Sequence, residues 1–261
     1  MASEDDASTF KRLSPAAYLQ RFLDASIRPD GRQLGAARKR VVSTGVVSTA
    51  AGSALVRIGG TTVVCAVRAE VAEPDLLRPT QGFVVPNMDF PPAAGPSFRP
   101  GAPSDAAQIV SDRLRSVLRA CAPFPLSALC ISPGKAVWAL YVDAVCLSFD
   151  GNALDAAMAA ADSALRDVRL PSVELDDSGV VRHTQGPKVA LPARPSAHGV
   201  TVGRFGQAAL PDPDAFEEGL CASQATVVGD AAGAVRYVCQ VGAGTAALLP
   251  AAMAAAVQQA A

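Results

Sequence analysis

The side chains of this 261-residue sequence that could take part in chemistry are few and scattered. His183 and His198 have no nucleophile in a recognisable setting and no partner at metal-ligand spacing. Four acidic residues fall close together, at Asp212, Asp214, Glu217 and Glu218. Such a cluster is usually a solvated loop, although it could also be the remnant of a carboxylate site. Neither group predicts an active site by itself, and we expect no cofactor and no metal.

The six cysteines form no C-x-x-C pair, and Cys65 and Cys146 lie inside apolar runs typical of strands. We therefore expect buried free thiols in a reducing compartment and no zinc site. The sequence has no Walker or dinucleotide-binding glycine pattern. The Gly59-Gly60 pair is followed by a β-branched run and not by a helix, so it predicts a hairpin and not a phosphate loop.

We expect one stretch in the middle of the chain, a strand followed by a turn and a helix, to organise the rest of the fold. Val137 to Phe149 is almost continuously apolar and rich in β-formers, which predicts a strand covered on both faces. Asp150-Gly151 should end it in a turn, and Asn152 can cap the next helix with Asp155 in its first turn. From Ala153 to Leu165 the pattern is apolar nearly all round, so that helix should be buried.

Other elements follow from local patterns. Ser104 should cap an amphipathic helix that continues to Ala120, and Arg115 and Arg119 share its outer face. A solvated basic face is the default interpretation there, with contact to RNA or a partner as the alternative. Strands over 223–228 and 234–241 flank a Gly-Asp-Ala-Ala-Gly turn, which predicts a second hairpin.

The composition is apolar, with 50% hydrophobic and 18% charged residues. Two interpretations fit: a large alanine-rich core, or apolar surface that meets other subunits. The net charge of −1 provides no overall basic field to attract nucleic acid. Residues 1–12 are small and acidic, and we expect them to be disordered. Without a signal peptide or a run of membrane length, the chain is predicted to remain in the cytosol or nucleus.

Four motifs, in the same order, resemble the RNase PH-like ring subunits of the eukaryotic RNA exosome. They are RPDGR at 28–32, STAAGSALVRIGGTTVVCAV at 48–67, GFVVPNMDFPP at 82–92 and SPGKAVWALYVDAVCLSFDGNALDA at 132–156. The resemblance is strong from residue 15 to about 175 and weaker after that. Within this family the chain is most similar to a catalytically silent member.

The resemblance implies an α+β fold of the RNase PH type, built from two related halves of strands and helices. We expect an acidic tail and short helix over residues 1–27, the first RNase PH-like half over 28–177, and the second half over 178–261. The second half repeats the order of strands followed by a helix in looser form.

The resemblance also points to a changed phosphate site. In active members, the turn after the central strand is Asp-Gly-Gly-Thr-Arg-Thr-Ala or similar, and its arginine and hydroxyls hold phosphate. Here Leu154 takes the arginine position, and Ala153 and Asp155 take the hydroxyl positions. A carboxylate within about 6 Å of phosphate costs on the order of 2–3 kcal/mol at an effective dielectric near 20. The site is therefore not expected to bind phosphate.

The function implied is that of a non-catalytic subunit of the hexameric exosome ring, which threads RNA to nucleases. Its partners would be other RNase PH-like ring subunits, RNA-binding cap subunits, an associated exoribonuclease and RNA, with no membrane contact. Arg99 and Lys135 are the predicted RNA-binding residues, through phosphate contacts without sequence preference. The expected location is the nucleus, including the nucleolus, and the cytoplasm.

Two alternatives remain open from the sequence. The chain could be an active phosphate-dependent 3′-exoribonuclease, in which case it would release nucleoside diphosphates from RNA in the presence of orthophosphate. It could also be a free-standing binding protein outside any ring, which size-exclusion behaviour with and without partners would reveal. The sequence does not indicate which ring neighbours flank it.

Overall fold

The structure, a computed structural model, describes residues 4–176, 181–184, 186–230, 234–244 and 248–260. It begins with two helices, α1 (Glu4–Leu13) and α2 (Pro15–Asp24). The prediction of disorder over residues 1–12 was wrong from Glu4 onward. The helical residues gain tertiary partners, because Arg21 lies over the Phe10 ring at 4.4 Å and Lys11 lies over the Phe216 ring at 4.3 Å.

The first sheet contains six strands in the order β1-β2-β3-β6-β4, with β5 paired to β6. The strands are β1 (Arg40–Thr44), β2 (Gly52–Ile58), β3 (Thr61–Ala72), β4 (Phe83–Asp89), β5 (Cys130–Ser132) and β6 (Ala136–Ser148). The β2 and β3 strands pair antiparallel across Gly59-Gly60, which confirms the predicted hairpin. All pairs are antiparallel except β4 with β6.

Two helices cover one face of this sheet: α3 (Asp105–Ala120) and α4 (Ala153–Asp167). Ser104 caps α3 as predicted, because its side chain accepts a hydrogen bond from the Ala107 N–H. The predicted central strand is β6 and the predicted buried helix is α4. Only the first five residues of β6 are buried on both faces; beyond Leu140 burial alternates, and Leu147 is 44% exposed. The prediction of two covered faces therefore holds for the first five of the thirteen residues of this strand.

A second sheet lies on the other side of α4, in the order β12-β11-β13-β14. Its strands are β11 (Ala197–Phe205), β12 (Ala208–Pro211), β13 (Ser223–Asp230) and β14 (Val235–Gly242). The pairing of β13 with β14 confirms the second hairpin. Two helices belong to this part, the short α5 (Ala215–Glu218) and α6 (Leu249–Ala260), and α6 packs on the sheet face opposite α4.

Four short strands connect the sheets in two antiparallel pairs, β7 with β10 and β8 with β9. They are β7 (Arg169–Leu170), β8 (Val173–Leu175), β9 (Val181–His183) and β10 (Val189–Ala190). Short 3-10 turns occur at Pro92–Ala94 and Leu126–Leu129. The mixture of sheets and packed helices confirms an α+β fold, with the largest core between the first sheet, α3 and α4.

The predicted boundary between the halves, at residues 177 and 178, lies outside the described residues and stays a prediction. None of the helices in the described ranges is long and apolar enough to cross a membrane.

Candidate functional site

The turn that joins β6 to α4 is fixed by backbone geometry. The Thr61 hydroxyl accepts from the Asp150 N–H at 3.0 Å and donates to the Gly151 carbonyl at 2.6 Å. Gly151 has φ +76°, and a Cβ there would lie 2.4 Å from the backbone carbonyl carbon of Asp214. Only glycine fits this position, because both the backbone conformation and the close approach of the second half exclude a side chain.

Asn152 occupies the N-cap position of α4 but does not cap it with its side chain. Its backbone is left-handed, with φ 52° and ψ 47°, and no capping hydrogen bond forms. The side-chain amide instead donates to Asp155 Oδ2 at 2.8 Å and to Asp212 Oδ1 at 2.7 Å. The predicted capping role was therefore wrong. Asn152 is 3% exposed, and its amide bridges two carboxylates, Asp155 from α4 and Asp212 from the second half of the chain.

Asp155 is the centre of a buried polar network between α4 and the second sheet. Its carboxylate accepts from the Thr201 N–H at 2.8 Å and from the Thr201 hydroxyl at 2.7 Å, and Thr201 Oγ1 lies 2.9 Å from Thr226 Oγ1. Burial raises the pKa of Asp155 to about 7, although the hydrogen bonds from Asn152 and Thr201 oppose that rise. Burial therefore favours the neutral, protonated form of this carboxyl group.

Two cavities meet at the start of α4, and Asn152 lines both. The first, of about 260 Å³, lies on the side of Asp155 and is lined by Ala37, Arg38, Arg40, Ile58, Asn152, Asp155, Gly199 and Asp212. The second, of about 110 Å³, lies beside Ala153 and Leu154. Asp155 does not line this second cavity. The structure thus corrects the prediction that Asp155 stands beside Ala153 and Leu154 in one anion pocket.

Aromatic rings line much of the second cavity. Phe98, from the proline-rich loop, stacks on Phe90 with ring centroids 4.8 Å apart, and both rings meet Phe149 edge-on. Arg113, from α3, is the one cation among its lining residues, and Glu218 is the one carboxylate. No local pattern in the sequence points to Arg113 here, because its position depends on how α3 packs beside α4.

The acidic cluster of the second half is buried against arginines from the start of the chain. Arg28 and Glu217 have fully buried side chains and form an ion pair, with Arg28 Nε donating to Glu217 Oε1 at 2.8 Å. Arg28 also donates to the carbonyls of Pro211 and Asp212. The prediction of a solvated acidic loop was wrong for Glu217 and Asp212, which the RPDGR segment and Arg38 neutralise.

Arg38 forms the second buried pair of this cluster. Its Nε and Nη2 each donate to one oxygen of Asp212 at 2.8 Å, and Nη1 donates to the Asp150 carbonyl at 2.6 Å. Burial alone would raise the pKa of Asp212, but the hydrogen bonds and charge of Arg38 outweigh it and hold that pKa below its usual value. The cluster therefore joins the N-terminal segment, the β6–α4 turn and the second half.

Residues 36–171, more than half of the chain, match the RNase PH family, described as the 3′ exoribonuclease family, domain 1. The chain belongs to the RNase PH family. The matched range contains three of the four motifs, at 48–67, 82–92 and 132–156, and it confirms that the resemblance is to the RNase PH family.

Curated relatives of this chain are named as exosome complex components. The exosome complex component rrp43 of Schizosaccharomyces pombe is 42% identical over 170 residues, which cover 65% of this chain and 63% of that protein. That alignment thus spans slightly less than two thirds of the yeast protein. The exosome complex component Rrp42 of Methanocella arvoryzae is 32% identical over 243 residues, 93% of this chain and 89% of that protein.

Solved structures confirm the predicted RNase PH-like fold. A chain of the Archaeoglobus fulgidus exosome with RNA bound to the active site superposes with a TM-score of 0.83 and 29% identity, over 94% of this chain and 95% of that one. A chain of an archaeal exosome core superposes with a TM-score of 0.79 and 26% identity, over 94% of each.

The two predicted RNA-binding residues of this RNase PH-like chain are not brought together. Lys135 is exposed and directly precedes β6, whereas Arg99 is exposed beside Phe98, whose ring contacts Phe149 just after β6. β6, which lies between Lys135 and Phe149, has thirteen residues and is about 40 Å long at about 3.3 Å per residue. Their contact with RNA stays a prediction.

The described residues hold no group of three or more histidine, cysteine, aspartate or glutamate side chains placed to bind a metal ion. Glu217 and Asp212 are instead occupied by the arginine partners Arg28 and Arg38. The arrangement at α4 therefore provides hydrogen bonds and ion pairs that join the first and second halves of the chain.

Proposed function

We propose that this chain is a non-catalytic structural subunit of a hexameric exosome core ring. In this role it supports 3′-to-5′ RNA processing and degradation by threading RNA to associated nucleases. Within the family, we propose that it corresponds most closely to the catalytically silent subunit called exosome component eight in animals. Support comes from relatives that are exosome components and from the residues at the start of α4.

One observation supports the loss of catalysis more than any other. Leu154 is 6% exposed and lies at the position where, by resemblance, active members have the phosphate-binding arginine. Ala153, at a hydroxyl position, offers no side-chain donor. Phosphorolysis requires a held phosphate and stabilisation of the charge that develops at the scissile phosphodiester. A leucine and an alanine provide neither.

The second cavity supports the same proposal. Phe90, Phe98 and Phe149 present ring surfaces to the space beside Ala153, and these do not bind a phosphate oxygen. Arg113 is the remaining cation, and Glu218 lines the same cavity with the opposite charge. A carboxylate beside a bound phosphate raises the cost of binding it. Asp155 does not add to that cost, since it lines the first cavity and not the second.

The function is tested by incubating the chain, alone and within the assembled ring, with RNA and orthophosphate. We expect no nucleoside diphosphate release above a reaction without protein. Release that disappears in the Arg113→Ala or Asp155→Ala variant would identify an active phosphorolytic enzyme and refute the proposal. The Asp155→Asn variant controls for folding, because asparagine retains a hydrogen-bonding group in the buried network.

The partners proposed are other RNase PH-like ring subunits, RNA-binding cap subunits, an associated exoribonuclease and RNA. Co-purification of the tagged chain followed by identification of the bound proteins tests this list. A chain that elutes as a monomer in the presence of ring subunits would instead support a free-standing binding protein. We further propose a nuclear, nucleolar and cytoplasmic distribution, which imaging of the tagged chain would check.

A further inference from the structure

The β1 strand ends the first sheet with one free edge. In the described ranges it pairs only with β2, in an antiparallel register that places Val41 opposite Arg57 and Ser43 opposite Leu55. The Gly45 N–H donates to the Ser53 carbonyl at 2.9 Å. Because hydrogen-bonded pairs alternate along an antiparallel ladder, the N–H groups of Val42 and Thr44 point away from β2. They are the groups available to another strand.

This edge lacks the features that usually protect one. Its residues after Arg40 include no charge and no proline, and each of them is exposed. Val41 is 49% exposed, Val42 44% and the following Val46 47%. Natural edge strands are normally protected by inward charges, proline or a covering element. An exposed run of four residues, three of them β-branched, is therefore a surface that another strand can cover.

Three cations surround the start of β1. Lys39 precedes the strand, Arg40 begins it, and Arg57 lies directly across from Val41 on β2. In the part of the chain that the structure describes, none of the three takes part in an ion pair. Arg57 donates to a backbone carbonyl, and Arg40 lies 3.3 Å from His198 Nδ1. Within the described residues, no carboxylate is therefore paired directly with these three cations.

We propose that the free edge of β1 receives an extended segment of a neighbouring RNase PH-like subunit, and that this segment carries carboxylates opposite Lys39, Arg40 and Arg57. The inference rests on the proposed function, since the neighbour is a ring subunit. A strand fits the edge as the occupant, because its carbonyls can accept hydrogen bonds from the outward N–H groups of Val42 and Thr44. The charges select an acidic strand, because three cations without a directly paired carboxylate among the described residues favour carboxylates and disfavour another copy of this same basic edge.

The test uses the full chain co-expressed with RNase PH-like ring subunits. Amide hydrogen exchange at Val42 and Thr44 is expected to slow at least tenfold on assembly. The double variant Val42→Pro/Thr44→Pro removes the two outward N–H groups and leaves the ladder to β2 intact. Loss of two hydrogen bonds is expected to weaken association about 30-fold. The matched control Val42→Ala/Thr44→Ala retains both N–H groups and is expected to associate within about threefold of wild type.

A second variant, Arg57→Glu, keeps the backbone intact and remains informative if the proline variant fails to fold. It is expected to weaken association at least tenfold. Wild-type association by the proline or glutamate variant would overturn the inference, as would protection of Val42 and Thr44 by self-association without partners. If the wild-type chain itself does not bind ring subunits, the proposed function fails first, and the two failures are thereby distinguished.

Discussion

Arg28 and Glu217 form a fully buried ion pair across 189 residues of sequence. A buried pair of this kind is weak evidence for added stability, since desolvation offsets the attraction. Removal of one partner of this pair, in contrast, destabilises the fold, because the other charge is left buried without a partner. The pair therefore fixes how the N-terminal segment meets the second half, and its disruption should unfold that junction.

Replacement of Glu217 by alanine tests this junction. It is expected to lower the free energy of unfolding by about 3–5 kcal/mol, because Arg28 remains buried without its carboxylate. Urea denaturation measures the loss. Asp112→Ala is the control, since Asp112 is 75% exposed in its pair with Arg115 and should change stability by less than about 0.5 kcal/mol. Equal effects of the two substitutions would show that the buried pair has no special role.

Asp155 should make stability depend on pH in an unusual direction. Burial raises its pKa from 3.8 to about 7 in the folded chain. Between those values the folded state binds a proton that the unfolded state lacks, so the free energy of unfolding falls as pH rises. The slope is at most about 1.4 kcal/mol per pH unit, and it flattens above pH 7.

Urea unfolding between pH 5 and pH 8 measures this effect. The Asp155→Asn variant should lack the Asp155 component, so its stability relative to wild type should increase up to about pH 7. Asp212 has a lowered pKa, and its contribution is lost only as pH falls through more acidic values, outside this window. Asp105→Asn, an exposed carboxylate in α3, is the control. Parallel pH profiles for wild type and Asp155→Asn would contradict the assignment.

Gly151→Ala tests the turn between β6 and α4. The substitution combines a left-handed backbone with a Cβ placed 2.4 Å from the Asp214 backbone, so the two halves must move apart. A loss of about 2–4 kcal/mol is expected, of which the backbone conformation alone accounts for about 1–2 kcal/mol. Gly31→Ala is a matched control, with φ +87° and nothing within 4 Å of the added carbon. A similar cost at both glycines would mean that the close approach is not important.

Arg99 and Lys135 remain the predicted RNA-binding residues, and their separation sharpens the test. Each alanine substitution should reduce crosslinking of RNA to the assembled ring and lower the salt dependence of binding by about 0.7 in log–log slope. Since Lys135 directly precedes β6 and Arg99 follows Phe98, which contacts Phe149 just after β6, each should act without the other. Arg182→Ala, which removes a side chain 74% exposed elsewhere, is the control. Unchanged crosslinking in the double variant would exclude both residues from the RNA path.

Local sequence patterns predicted the elements that are formed by contacts between residues close together in the sequence. The β2–β3 hairpin follows from Gly59-Gly60 between β-branched runs, and the start of α3 follows from Ser104 as a cap. The β6–turn–α4 unit is likewise visible in a single window of about thirty residues. These predictions hold because each depends on contacts within a few residues.

Predictions failed where partners come from distant parts of the chain. The acids at Asp212 and Glu217 looked solvated because their arginines lie 174 and 189 residues away. Asn152 was predicted to be a cap because of its residue type, but its amide donates to Asp212 from the second half. The helix at Glu4–Leu13 was missed for the same reason, since the Phe216 ring that packs against Lys11 is distant in the sequence. Composition and spacing contain no information on such pairings.

The distance in sequence between Arg28 and Glu217 also sets an order of events during synthesis. A ribosome that adds about 5–20 residues per second exposes Arg28 roughly 10–40 s before its carboxylate is made. Throughout that interval the nascent first half presents an arginine whose burial site does not yet exist. Final closure of the junction between the N-terminal segment and the second half must therefore follow translation of Glu217.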